Sequence, residues 1–120
     1  MKTTFFVYGT LLIEKTWKQL IDRLPVITPA VLHDFRRYKV LGAHYPGVWN
    51  SSGEKVQGGC VELTASEIEI TDRYEGFAYR KDWVHVISGK EEIMAQVYLR
   101  QPVSEKEWNN PYTMPRIGDK

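Results

Sequence analysis

The chain has 120 residues and a formal net charge of +1, with 42% hydrophobic and 26% charged residues. That length suits a single domain, 1–120, with one modest core. The charge balance leaves no broad basic surface, and so argues against nucleic acid, whose binding rests on phosphate neutralisation.

Cys60 is the one cysteine, so no internal disulfide can form and a reducing compartment is expected. In "GGCVEL" it reads as a small core residue. Lys2 and the apolar run after it do not read as a signal peptide, because the run is short, contains Gly9 and Thr10 and meets Glu14 at once. No apolar stretch approaches the roughly 20 residues that cross a bilayer. The expected location is cytoplasmic, with no membrane partner.

Thr3 to Tyr8 is apolar enough for a central strand. Trp17, Leu20, Ile21 and Leu24 recur at i, i+3, i+4 and i+7, which predicts a helix from about Glu14 to Leu24 ended by Pro25. Val26 to His33, interrupted by Pro29, predicts an edge or bulged strand, and Arg37 to Leu41 a third. "AHYPGVWNSSGEK" reads as turns. Gln57 to Leu63 is the next strand. Thr64-Ala-Ser-Glu67 is a capping box. It opens a helix from Ala65 to Tyr74 or Glu75, which Gly76 ends. Arg80 to Ile87 and Glu92 to Leu99 alternate as two strands of a hairpin turning at "SGKE". From about residue 101 the chain reads as an irregular tail, with Trp108 and Tyr112 packed back on the body. The order predicts an α+β fold: a small mixed, mainly antiparallel β-barrel flanked by short helices.

Two places invite chemistry. Ile68, Thr71, Asp72 and Glu75 lie on one helical stripe. A carboxylate on a core-facing stripe needs a partner or a cavity. Glu75 is therefore either a helix-end residue paired with Arg73 or Arg80, or a half-buried general base with a raised pKa. Tyr8-Gly9-Thr10-Leu11 ends the first strand. It is either a plain connection or a turn whose backbone N–H groups hold a carboxylate or an oxyanion. His33, His44 and His85 have no metal-ligand spacing.

"FVYGTLL", "YPGV", "VQGGCVEL" and "LTASEIEITDRYEGFAYRKDWVHV" occur in this order. That set resembles the γ-glutamylcyclotransferase-like family, including its avirulence-induced-gene-like and γ-glutamylamine cyclotransferase branches, over about Phe5 to Leu99. The resemblance implies a small mixed barrel. It implies an intramolecular aminolysis that turns a γ-glutamyl amine or γ-glutamyl amino acid into 5-oxoproline and a free amine, with no metal or cofactor. It implies that Glu75 is the catalytic glutamate and that Tyr8, Gly9, Thr10 and Leu11 form the substrate-binding loop. Tyr45 and Tyr79 line the cavity or pack at the barrel mouth. Arg80 is expected to pair with a nearby carboxylate. The family pattern carries a leucine where this chain has Thr71. The alternative to an enzyme is a small-molecule binding or regulatory module on the same scaffold. Which γ-glutamyl amide is used, and the oligomeric state, are not legible from the residues.

Overall fold

A computed structural model describes residues 1–112. Five strands form a closed barrel in the order β1-β3-β2-β4-β5: β1 (Thr3–Val7), β2 (Thr28–Lys39), β3 (Pro46–Leu63), β4 (Arg80–Ser88) and β5 (Glu91–Leu99). Every pairing is antiparallel except β1 with β5, where Phe5 faces Gln96 in parallel. The fold is thus the expected α+β barrel. A 3-10 turn (Thr10–Leu12) and helix α1 (Glu14–Ile21) follow β1, α2 (Ala65–Glu75) follows β3, and α3 (Glu105–Trp108) lies in the tail.

Strand β1 explains its own composition. Phe6 joins a cluster with Ala30, Leu32, Val56, Val86 and Val97, which fills the barrel interior. Phe5 and Val7 point the other way, into a cluster with Leu12, Trp17, Val61 and Leu63 that α1 and α2 cover. A strand buried on both faces must be apolar at successive positions. Cys60 is buried in the interior cluster, where desolvation pushes its thiol up to about 11. That is the core role expected of it.

Helix α1 is shorter than its periodicity predicts. It stops at Ile21 because Asp22 adopts a left-handed conformation (φ 57°) as its cap, before Pro25 is reached. Leu24 is consequently exposed. The two expected strands on either side of Asp34 are one long strand, β2. Asp34 takes φ 66° and the register shifts between His33 and Phe35, so a bulge bends the strand without ending it. The "turn-rich" stretch from Pro46 is likewise the first half of β3, paired with Phe35–Lys39. Ser52-Gly53 sits at the matching irregularity, where the Gly53 amide donates to Asp34 Oδ1 at 3.0 Å. The outer half of this β2–β3 arm reaches the end of β5, with the Arg100 amide donating to the Val48 carbonyl at 3.2 Å.

The capping box of α2 forms as expected. Thr64 Oγ1 accepts from the Glu67 amide at 3.3 Å, and Glu67 Oε1 accepts from the Thr64 amide at 3.0 Å. Arg23 grips the same Glu67 through two hydrogen bonds, of 2.6 and 2.7 Å, which ties the end of α1 to the start of α2. Gly76 caps the far end at φ 80°, a conformation that favours glycine.

The tail is more ordered than expected. Ser104 caps α3 and the fully buried Glu107 anchors it. Glu107 accepts from Arg100 at 2.7 Å, from the Val103 amide at 2.9 Å and from the Leu41 amide at 3.0 Å. Trp108 packs edge-on against Tyr38, and the Arg37 guanidinium lies 5.9 Å above the Tyr112 ring. Both aromatics therefore pack back on the body, as the sequence suggested.

Candidate active site at the barrel mouth

The site lies where β1 leaves the barrel. Tyr8 continues the inward alternation of Phe6, and its hydroxyl donates to the Tyr98 carbonyl on β5. Burial, reinforced by the nearby Glu75 carboxylate, holds this phenol neutral, with a pKa well above its ordinary value. The chain then turns through Gly9 into the 3-10 turn. The Gly9 carbonyl accepts from the Leu12 amide at 2.9 Å, and the Leu11 carbonyl accepts from the Trp17 indole at 2.6 Å. The carbonyls of the turn are therefore occupied. Among the described residues no acceptor meets the amides of Gly9, Thr10 or Leu11. The turn thus offers donors and withholds acceptors, which suits an anionic oxygen.

Gly9 is required by close approach. Its φ of −141° is open to any residue, but a Cβ there would lie 2.7 Å from Pro46 Cγ and 2.8 Å from Cδ. The Tyr8–Gly9 backbone lies against the start of β3, and the Pro46 carbonyl in turn accepts from the Tyr79 hydroxyl at 2.7 Å.

The end of α2 forms the opposite wall. Its core-facing stripe behaves as its spacing predicts. Ile68 packs on the second cluster, and Thr71 is fully buried with its hydroxyl donating to the Glu67 carbonyl at 2.8 Å. The hydroxyl of Thr71 is thus satisfied at the position where the family pattern has leucine. The next residue, Asp72, accepts from Tyr98 at 2.7 Å and pairs with Lys81 at 2.9 Å. Glu75 is different. Among the described residues it has no ion-pair partner, Arg73 and Arg80 included. Burial raises its carboxyl from the ordinary carboxylate range to about 7. Arg80 instead lies 3.8 Å from Asp82 and 5.7 Å above the Trp49 ring.

The walls enclose two connected spaces. The inner one is a neck of about 30 Å³ bordered by Tyr8, Gly9, Thr10, Leu11, Glu75 and Tyr98. That volume accommodates a group of one or two heavy atoms, such as a carbonyl oxygen. The outer one is a bowl of about 310 Å³ formed by Thr10, Tyr45, Tyr74, Glu75 and Tyr79. Thr10, Tyr45, Glu75 and Tyr79 border both, so Glu75 stands at the junction. Tyr45 and Tyr79 meet with ring centroids 6.3 Å apart, and Thr10 is joined to Tyr74 by a 2.9 Å hydroxyl–hydroxyl hydrogen bond across the rim.

All seven residues singled out from the sequence thus border one cavity. Sequence reasoning missed Tyr74, Tyr98 and Pro46. Tyr74 lies off the core stripe of α2 and reads as a surface residue. Tyr98 sits in an alternating strand where any large residue reads as core. Among the described residues no three His, Cys, Asp or Glu side chains converge as metal ligands, and no helix is long and apolar enough to cross a membrane.

A closed five-stranded barrel whose mouth joins an amide-rich turn to a lone half-buried glutamate defines a recognisable class. The family model for gamma-glutamyl cyclotransferase, AIG2-like, matches residues 5–115, and the chain belongs to that family. Among curated relatives, AIG2-like protein D of Arabidopsis thaliana is 30% identical over 98 residues, covering 78% of this chain and 64% of that protein. Protein AIG2 C of the same plant is 32% identical over 97 residues, covering 78% and 59%. The chain therefore spans about three-fifths of the length of these relatives. Among solved structures, an Arabidopsis thaliana protein determined in solution superposes with a TM-score of 0.79 at 25% identity, over 88% of this chain and 74% of that one. A structure named gamma-glutamyl cyclotransferase superposes with a TM-score of 0.75 at 20% identity, over 85% and 68%, a likeness of fold.

Proposed function

We propose that the chain is a γ-glutamyl cyclotransferase with Glu75 as its general base. Its substrate would be a γ-glutamyl amine or γ-glutamyl amino acid. One observation carries the reading: a carboxyl poised near pH 7, without an ion-pair partner among the described residues, faces a turn of free backbone donors across a neck of carbonyl size.

The chemistry follows from that pairing. The substrate α-amine arrives protonated and must be neutral to attack. Glu75 takes one proton from it. The amine nitrogen then bonds to the γ-carbonyl carbon, and the carbonyl electron pair moves onto oxygen. Amides of Gly9 to Leu11 meet that developing charge. Glu75 returns that proton to the amide nitrogen and the C–N bond breaks. Glu75 then takes the second proton from the ring nitrogen, leaving 5-oxoproline and a free amine that carries this proton away as its ammonium form. Nucleophile and electrophile belong to one molecule, so the site's task is to hold a folded conformer; orientation of this kind contributes up to about 7–11 kcal/mol in the best cases. The bowl, walled by Tyr45, Tyr74 and Tyr79, receives the departing amine.

The test is an assay of 5-oxoproline by mass spectrometry with γ-glutamyl-alanine, γ-glutamyl-ε-lysine and glutathione. Wild-type protein is expected to form product from at least one. Glu75→Gln is expected to lose ~10²–10⁴-fold in kcat while remaining folded. Product formed equally by both proteins would remove Glu75 from the chemistry. No product from either, with ligand binding retained, would favour a binding module.

A further inference from the structure

Arg37 lies on β2 and is not among the residues that line the cavity. Its Nη1 donates to two carbonyls, Tyr8 at 3.2 Å and Gln57 at 2.9 Å. The β1–β3 ladder ends at Val7 opposite Gly59. The guanidinium therefore continues that ladder by one step, joining strands where their own hydrogen bonds have stopped. Burying a guanidinium is unfavourable, and desolvation lowers the Arg37 pKa. Its Nε is also buried without a partner among the described residues. A residue kept in so unfavourable a place asks for a reason beyond surface charge.

The peptide between Tyr8 and Gly9 is trans, as are all those described. In a trans peptide the C=O and the N–H point in opposite directions. With the Tyr8 C=O turned to Arg37, the Gly9 N–H points away from Arg37, and Gly9 itself borders the neck that Arg37 does not line. A positive charge at the oxygen end also polarises the amide and strengthens the donor at the other end. We propose that Arg37 is a positioning residue for the reaction, which aims the Gly9 N–H at the γ-carbonyl oxygen. This inference rests on the cyclotransferase reading above and deepens it by naming the residue that orients the oxyanion donor.

The experiment combines kinetics with ¹⁵N–¹H spectra of the full chain, using 5-oxoproline as the binding probe. Its lactam oxygen is the former γ-carbonyl oxygen. In wild-type protein the Gly9 amide proton is expected to shift downfield as 5-oxoproline binds. In Arg37→Met that response should vanish, and kcat should fall by about 10–100-fold with KM changed less than about threefold. Arg37→Lys retains the positive charge on a single donor nitrogen and should recover part of both. If Arg37→Met does not fold, Arg37→Lys decides the matter. A reduced kcat with a weakened Gly9 response supports the proposal, and wild-type values of both overturn it. A folded Arg37→Met that loses only thermal stability would also overturn it. Wild-type protein that neither turns over a γ-glutamyl substrate nor binds 5-oxoproline would defeat the cyclotransferase reading itself, and this proposal with it. Turnover that is indifferent to Arg37 would defeat the positioning role alone.

Discussion

Glu75 and Asp72 are one helical turn apart, and their surroundings separate their behaviour. Asp72 is held by Tyr98 and Lys81, whereas burial leaves the Glu75 carboxyl at about 7. For a base, kcat/KM should rise with pH along an acid limb with an apparent pKa near 7, and Glu75→Gln should lack that limb. Stability should move the other way. A carboxyl whose folded pKa lies above its unfolded value of 4.5 stabilises the folded state below that value. The contribution is lost as pH rises through 7. Glu75→Gln should therefore raise the thermal midpoint at pH 8, by on the order of 1–3 kcal/mol of stability, and leave it little changed at pH 5. An unchanged midpoint at both pH values would show that the carboxyl is not desolvated. Gly9 makes a different demand. Gly9→Ala would press a methyl group into Pro46, so the turn must shift. Activity should fall at least about tenfold, and circular dichroism should still report a folded barrel. At this scale the sequence was informative about Glu75, because stripe and motif agreed. It was silent about Arg37, whose value lies in two carbonyls distant in sequence.

Among the elements, α2 was legible and β2–β3 was not. A capping box is a local device, written in Thr64 and Glu67 three positions apart, and so it can be read without knowing the fold. The bulge at Asp34 is not local. A left-handed residue in mid-strand, with Gly53 opposite, looks like two strand ends until both partners are known. The end of α1 was misread for a similar reason: Pro25 is the obvious stop, yet the left-handed Asp22 cap comes first. Glu67 joins the two helices. Arg23 and the Thr64 amide hold its carboxyl down at about 2. Its contribution is present above the ordinary carboxylate pKa and is lost as pH falls toward 2. Glu67→Gln removes the charge paired with Arg23 while keeping an oxygen for the Thr64 amide, and should cost about 1–2 kcal/mol at pH 7. Urea titration at pH 7 and pH 3 should show that difference shrinking in acid; a constant difference would mean that the charge is irrelevant.

For the molecule as a whole, the tail is part of the architecture. Glu107 is fully buried and its pKa is lowered, since Arg100 and two backbone amides outweigh its desolvation. Through the Leu41 amide it fixes the start of the loop that ends at Tyr45, which is closed by the Val40 amide donating to the Tyr45 carbonyl at 3.1 Å. Glu107→Ala would leave Arg100 buried without its carboxylate and two amides without acceptors. A loss of about 3–5 kcal/mol is expected, read as a lower urea midpoint. KM should rise through a loosened Tyr45, and a variant with unaltered KM would show the rim to be independent of the tail. The sequence called this region irregular because a single helical turn has no periodicity to read. Strand order was equally hidden. Composition and alternation imply a barrel, but they do not say that β1 lies between β3 and β5.

That placement of β1 has a kinetic consequence. Phe5 can meet Gln96 only when nearly the whole described chain is available, and the pocket joins Tyr8 to Tyr98 across the same seam. Pairings so distant in sequence close slowly, after the loop entropy between them has been overcome. Refolding should therefore show strand signal first and ligand binding last. A nascent chain on the ribosome would carry every residue from Tyr8 to Glu75 and still have no site, until β5 emerges and closes the ring.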